Sequence, residues 1–479
     1  MKTISLLCLA MIWTGFSYGQ TPGSSIETGS CPVKIGPGVI SICGYLIAPE
    51  NRKKPAGRKV KVPFIFVRRP EMSAAKNTTL FTTGGPGYST VANIDSIGEG
   101  SGWLAYGGFI AFDQRGSKRS IPSLECPAVT EAIRQSYRTG QDRDSLVRLA
   151  VTQSRKEFTT KGIDLSSYTT IESAEDINDL RVLLKIDSLN LVGISYSGGL
   201  MMTVARNHPE AVRTLALGSP LPSFVNYEEH ALVNINEALE NFFNYYDTDS
   251  ASLRPYGDLR SRFHHYFTSI TGKRFPLKYY DALKHDTIQI TYGKDELMDI
   301  VLDGLSTYGF KTLPKTMNDL IDGKHSPYID HVIDGYFSAN QSLSHGMRYS
   351  IYCSEQIAYS DTALINKQST LFPWLAGFAF NSPDKALCDC WKVKPEPAHA
   401  KDPVYSNVPV LIAAGDIDPW CSPFYNRLIQ RTFPNAHSLI FRKRGHVPGF
   451  SAGGVEYIAL FFKNPYQRFN VRNNDLWSE

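Results

Sequence analysis

Beyond residue 20 the sequence has no apolar run approaching the about eighteen residues that a membrane-spanning helix needs. It also lacks internal repeats, low-complexity tracts and any Gly/Ser-rich linker between independent modules. Net charge is equally scarce. Fifty Lys+Arg against 46 Asp+Glu leave only +4, with the basic residues scattered, which excludes a nucleic-acid footprint. No membrane anchor is expected in the mature chain. What remains is ordinary: 42% hydrophobic, 20% charged and 12% aromatic, with 37 Gly and 28 Pro. That balance excludes disorder, collagen and coiled coil. A length of 479 residues allows one large domain or two of usual size.

The first nineteen residues read as an export signal. Lys2 supplies a positive start, an apolar run follows over 4–16, and Ser17 and Gly19 stand before a cut at Gln20. Cys8 lies inside that run, which argues against a lipid-modified cysteine. A periplasmic or secreted location is expected. Setting Cys8 aside leaves Cys31, Cys43, Cys126, Cys353, Cys388, Cys390 and Cys421. In an oxidising compartment disulfides are the natural reading. Cys31 and Cys43 flank a short Gly/Pro loop and form the first expected pair; Cys353 with Cys388 or Cys390 forms the second. A zinc site built on Cys353, Cys388, Cys390 and His399 has no standard spacing, so no metal is expected. Seven is odd, so at least one thiol is left free or pairs between chains.

Along the chain, short apolar β-prone runs alternate with helical patterns. Residues 59–69 (KVKVPFIFVRR), 78–83 (TTLFTT) and 109–113 (FIAFD) read as strands. A helix is expected over 173–187, with Ser173 as N-cap, Asp176 at N3, and Ile177, Leu180 and Leu184 on one face. Strand 189–192, helix 200–208 and strands 212–217, 410–414 and 438–441 continue the alternation. Apolar strands alternating with helices predict an α/β fold, a mostly parallel sheet with helices on both faces. Between Pro220 and about Asp402 the strand rhythm stops, and aromatic-rich helical segments such as 228–246 and 295–305 take over. The expected organisation is therefore a first core part over 20–220, a mostly helical insertion over 221–401, and a second core part over 402–479.

Residues 191–199 (LVGISYSGG) run from an apolar strand into a helix and nearly match G-x-S-x-G, the turn that lifts a serine above a sheet. Ser195 is the expected nucleophile, with Ser197 the alternative; Ser197 stands where the last glycine is usual. Downstream, strand 409–414 leads into Gly415-Asp416-Ile417-Asp418-Pro419, and strand 436–442 into Gly445-His446. The chain order Ser, Asp, His suits acyl transfer. A neutral serine needs His to take its proton, and a carboxylate must orient the imidazole. Asp418, further past the strand end, is preferred to Asp416. Thr83-Gly84-Gly85-Pro86-Gly87 frees backbone N–H groups to meet a reacting carbonyl oxygen, so Gly85 and Tyr196 N–H are the expected oxyanion hole. No Lys-Ser/Thr follows, which excludes a phosphate loop.

Taken together, Gly84-Gly85-Pro86-Gly87, Asp113-Gln114-Arg115-Gly116-Ser117, Gly193-Ile194-Ser195-Tyr196, Gly415-x-x-Asp418-Pro419 and Gly445-His446 resemble the proline iminopeptidase and tripeptidyl aminopeptidase group of α/β-hydrolases. Thr83 departs from the histidine usual in proline iminopeptidases. The C-terminal part, with Cys388-x-x-Trp391, is similar to that of tripeptidyl aminopeptidases. The resemblance implies an α/β-hydrolase fold with a helical cap inserted after the sixth strand. It also implies a Ser195–Asp418–His446 triad and release of N-terminal residues from short peptides with a free N-terminus. No cofactor is implied. Such enzymes hold the substrate's ammonium with cap carboxylates; the candidates are Glu355, Glu228 and Glu229. Asp113 and Arg115 are expected to brace their turn. An esterase on the same scaffold, or a binding protein on an inactive one, are the other readings.

Overall fold

The computed structural model describes residues 23–248, 255–306, 309–338, 343–379, 381 and 383–479, so the expected export signal at 1–19 lies outside the described residues. Its main sheet has ten strands: β1 (Ser25–Thr28), β2 (Ile40–Pro49), β3 (Lys59–Arg68), β4 (Thr78–Thr82), β5 (Phe109–Phe112), β6 (Leu189–Ile194), β7 (Val212–Gly218), β8 (Val410–Gly415), β9 (Ala436–Phe441) and β10 (Leu476–Ser478). They lie in the order β1-β2-β3-β5-β4-β6-β7-β8-β9-β10. From β5 to β9 every pairing is parallel; β1 to β3 and β10 are added antiparallel at the two ends. The central strands are apolar throughout because both faces are covered: every residue of β5 and β8 is buried. The chain runs from β4 outward to β5 and then crosses back to β6. This reversal makes a crevice between β4 and β6 at the carboxyl ends of the strands, where open α/β sheets place their ligands.

Four helices flank this part of the sheet: α1 (Pro127–Thr139), α2 (Arg143–Thr160), α3 (Thr170–Leu183) and α4 (Ser197–Asn207). Helix α3 starts a turn before the expected Ser173. Its N-cap is Thr169, whose side chain accepts from Glu172 N–H. Both Thr169-x-x-Glu172 and Ser173-x-x-Asp176 resemble a cap, and the earlier one prevails because Asp176 is needed elsewhere. Its carboxylate forms a fork with the fully buried Arg115, at 2.8 Å from Nε and 2.6 Å from Nη2, and takes a third bond from Arg52. Burial of these charges is tolerable because each is paired and hydrogen-bonded.

Counted from β2, with the short edge strand β1 left aside, β7 is the sixth strand, and the insertion begins after it. Helices α5 (Ala231–Thr248), α6 (Leu259–Ser269), α7 (Lys294–Gly304), α8 (Leu313–Ile321) and α9 (Ser326–Phe337) surround an apolar centre of their own. They share it with a hairpin, Phe275–Asp281 paired to Asp286–Tyr292, which the reading of this region as helical does not anticipate. Helices α10 (His345–Ile351), α11 (Thr362–Leu371) and α12 (Lys385–Trp391) follow. Met347, Tyr349, Leu387 and Trp391 pack against the core instead, with Trp391 edge-on to Phe158 of α2. Disulfides join Cys31 to Cys43 and Cys353 to Cys388, which decides between Cys388 and Cys390. Cys126, Cys390 and Cys421 are unpaired among the described residues.

Candidate active site

Ser195 sits on the turn between β6 and α4 with φ +55°, in the left-handed region that a non-glycine residue enters only at a cost of about 1 kcal/mol. The turn is held from both sides: Ser195 N–H donates to Gly218 O (2.9 Å), and its carbonyl accepts from Leu221 N–H (3.0 Å). The Gly84 backbone packs directly over it. A methyl group on Gly84 would lie 2.8 Å from Ser195 Cβ and 2.7 Å from Ile194 O, so only glycine fits. Ser197 is different. It is fully buried, its hydroxyl donates to Thr82 O and its oxygen accepts from Ile194 N–H, each at 2.8 Å. A serine so engaged ties β4 to β6 and is not free to react, which explains why serine replaces the usual glycine.

Beyond the ends of β8 and β9, Asp418 and His446 meet. His446 Nδ1 lies 2.8 Å from Asp418 Oδ2 and 3.1 Å from Oδ1. Asp418 Oδ1 also accepts Trp420 and Cys421 N–H, both at 2.9 Å, and the carboxylate is buried. An acceptor so placed keeps the proton on Nδ1 and leaves Nε2 as the basic nitrogen. The Trp420 ring stands edge-on to the imidazole, 4.9 Å away. Val447 N–H donates to Ser219 Oγ (2.9 Å), so the histidine loop and the serine turn are pinned to the same strand end, Gly218-Ser219. Asp416 belongs to a separate arrangement. It accepts from Lys443 N–H (2.7 Å) and from the Tyr245 hydroxyl, and burial pushes its carboxyl up to about 6.

Asp113 and Gln114 brace the glycine loop, whereas Arg115 instead ties Asp176 to the Glu50 and Ser167 carbonyls. Asp113 accepts from Ser89 Oγ (2.7 Å) and Val91 N–H (2.9 Å), just past the loop, and Gln114 Nε2 donates to Thr83 O (2.9 Å), just before it. The Tyr196 side chain is drawn away from the cleft: its hydroxyl lies 2.7 Å from Thr170 Oγ1. Its backbone N–H, at the start of α4, is close to Gly84.

The three cap carboxylates part company here. Glu355, in a short π-helical stretch (Tyr352–Gln356), spends both oxygens on Thr170, taking its N–H at 2.7 Å and its hydroxyl at 2.6 Å. It caps the start of α3, where an anion is favoured. Glu229 accepts Asp361 N–H (2.7 Å) and pins a cap loop. Only Glu228 is linked to the glycine loop. Its Oε1 accepts from Asn381 Nδ2 (2.6 Å), Asn381 Oδ1 accepts from Arg348 Nη2, and Arg348 Nη1 donates to Gly85 O (3.0 Å). Burial raises the Glu228 carboxyl to about 7, although Asn381 and Arg348 both pull it down. Sequence reasoning missed Arg348, Asn381 and Cys421. The last is a buried thiol within hydrogen-bonding reach of Ser195, and burial holds it well above the usual thiol range. Its position three residues after Asp418 was the available signal.

The sheet order, the crevice at its reversal and the serine turn define an α/β-hydrolase. Residues 108–269 match the family described as alpha/beta hydrolase fold, and residues 377–465 match the family described as TAP-like protein. The chain thus has an α/β-hydrolase fold with a TAP-like C-terminal region, and it is similar to serine peptidases of the tripeptidyl aminopeptidase group. It is 24% identical over 244 residues to the serine protease Hip1 of Mycobacterium tuberculosis, a match covering 48% of this chain and 46% of that one. It is 25% identical over 189 residues to the tripeptidyl aminopeptidase of Streptomyces lividans, covering 37% and 35%. The matches thus span less than half the length of either relative. Among solved structures, naproxen esterase from Bacillus subtilis is similar over 88% of this chain and 89% of its own, at 12% identity and a TM-score of 0.32.

Proposed function

We propose that the protein is an exported serine aminopeptidase that releases N-terminal residues from short peptides, in the manner of prolyl or tripeptidyl aminopeptidases. The observation that carries the reading is the Asp418–His446 Nδ1 pair beside the strained Ser195 turn. Ser195 Oγ attacks the scissile carbonyl carbon while its proton passes to His446 Nε2. The tetrahedral oxyanion takes the N–H groups of Gly85 and Tyr196. His446 then protonates the leaving amine, and water, activated by the same imidazole, releases the acyl group from Ser195. Asp418 holds the imidazole in its tautomer and stabilises its charged form. Glu228 takes the substrate's ammonium, since of the three candidates it alone connects to the oxyanion loop. The two disulfides support an oxidising compartment and hence export.

The test is a paired library of free and N-acetylated peptides. Acetylation removes the charge that Glu228 pairs with, and the lost charge pair is worth about 3 kcal/mol on the scale of truncated, hydrogen-bonded charge pairs. Acetylated peptides are then cleaved at least about a hundredfold more slowly. Equal turnover of free and acetylated peptides, or of simple esters, replaces the aminopeptidase with an esterase on the same scaffold.

A further inference from the structure

We propose that Arg348 is a positioning residue for the oxyanion hole, its guanidinium holding the Gly85 carbonyl so that the Gly85 N–H stays aimed at the developing oxyanion. The inference rests on Gly85 being an oxyanion donor. Gly85 has φ +119°, a conformation glycine enters and leaves freely, so its own backbone does not hold the N–H in place. The following peptide ends in Pro86, which has no N–H. The Gly85 carbonyl is therefore the only polar handle on that peptide, and Arg348 Nη1 grips it at 3.0 Å.

The grip is backed by a rigid support. Ser344 N–H donates to Gly87 O at 2.9 Å, so residues 344 and 348 hold the glycine loop at two points one helical turn apart. Helix α10 is itself fixed to the core by Gly346 N–H on Leu124 O (2.9 Å) and by Trp391 Nε1 on Ser350 Oγ (3.0 Å), and the Cys353–Cys388 disulfide follows directly. The guanidinium is also fixed sideways. Its second nitrogen donates to Asn381, whose amide is held by Glu228, and its face lies 4.9 Å from the Tyr352 ring centroid. A planar fork oriented from three sides transmits position, which a flexible ammonium does not. The cation also adds positive charge beside the loop where the oxyanion forms.

The experiment compares the wild type with Arg348→Met, Arg348→Lys, Arg348→Ala and Asn381→Ala. Fluorophosphonate labelling of Ser195 in the wild type first establishes that the serine hydrolase reading holds; failure there sinks that reading independently of Arg348. Turnover is then followed on a free-amine peptide anilide and on p-nitrophenyl acetate, which has no amine for Glu228. The expected result is a fall in kcat of about 10² for Arg348→Met on both substrates, with KM little changed. Lysine rescues poorly, Asn381→Ala shows a smaller loss in the same direction, and added guanidine restores kcat in Arg348→Ala. A boronic acid that mimics the tetrahedral adduct loses affinity in parallel with kcat. Wild-type kcat on the ester in Arg348→Met overturns the proposal. So does a loss confined to KM for the peptide, which places Arg348 in the amine site instead. If Arg348→Met does not fold, Arg348→Lys and Asn381→Ala decide, and wild-type ester turnover in both overturns it.

Discussion

The pH dependence of amine recognition offers a direct test of Glu228. Burial holds its carboxyl near 7 in the free protein, so the anion that would meet a substrate ammonium is half formed at pH 7 and about one-hundredth formed at pH 5. Since kcat/KM reports groups of the free enzyme, this limb alone lowers it about 50-fold between pH 7 and pH 5 for a free-amine peptide. The acyl-transfer step has a pH dependence of its own, so the peptide is measured against p-nitrophenyl acetate, which uses His446 but not Glu228. The ratio of the two kcat/KM values isolates the carboxylate. It should rise about 50-fold from pH 5 to pH 7 and fall again above about pH 8, as the peptide's amine, near 7.7–8.0, loses its proton. In Glu228→Gln the acid limb of the ratio should vanish. Stability moves the other way. A pKa raised above the ordinary 4.5 gives a contribution that is full below that value and lost as pH rises through about 7, so Glu228→Gln should raise the Tm more at pH 8 than at pH 5. A ratio that does not change with pH in the wild type, or that changes equally in Glu228→Gln, refutes the assignment.

Ser195→Ala should abolish turnover, with about 10⁶ in kcat as the scale known for a serine nucleophile. Ser197→Ala should keep turnover and instead lower stability by about 1–3 kcal/mol, because Ile194 N–H and Thr82 O lose their buried partner; urea denaturation measures it. Asp418→Asn should lower kcat by about 10⁴ through the wrong imidazole tautomer, whereas Asp416→Asn, whose carboxylate meets Tyr245 and Lys443 and not His446, should cost orders of magnitude less; steady-state rates on one anilide distinguish them. Non-reducing digestion should recover the Cys31–Cys43 and Cys353–Cys388 peptides joined. Loops of 12 and 35 residues imply about 3 and about 4 kcal/mol lost when each bond is removed; unfolding of Cys→Ala pairs in urea reads both.

What was legible in the sequence was whatever is dictated locally. The serine turn needs small residues around it, and the acid and base must lie just past buried strands, so Ser195, Asp418 and His446 stand out from their own neighbourhoods. The start of α3 was ambiguous because two cap-like tetrads lie four residues apart, and the choice depends on Asp176 being claimed by Arg115 and Arg52. The cap hairpin hid behind alternation that is weak when one face is exposed: in Phe275–Asp281 the residues alternate between exposed and covered, but Pro276 and Lys278 interrupt the apolar run. The roles of the glutamates were not legible at all. Glu228 meets Asn381 across 153 positions and Gly85 meets Arg348 across 263, whereas Glu355, close to the Cys353–Cys388 disulfide, is consumed by Thr170. That disulfide instead backs the helix that carries Arg348.

The cap does more than roof the cleft. On α5, Asn234, Glu237, Asn241 and Tyr245 share one face by helical spacing, and that face holds the loop carrying the acid. Asn234 Nδ2 donates to Trp420 O (3.1 Å), Ser422 Oγ donates to Glu237 (2.7 Å), Asn241 Nδ2 donates to Asp416 O (2.8 Å), and the Tyr245 hydroxyl reaches Asp416. Asp418 lies between these anchors. The same helix follows directly on Glu228, so one rigid element ties the carboxylate proposed for the amine to the carboxylate that orients His446. A displacement of α5 by about 1 Å would disturb both, and shifts of that size cost about 10² in rate. Opening the cleft by lifting α5 would therefore disassemble the acid–base pair with each turnover. On the proposed reading, substrate would enter by a path that leaves α5 seated on the loop.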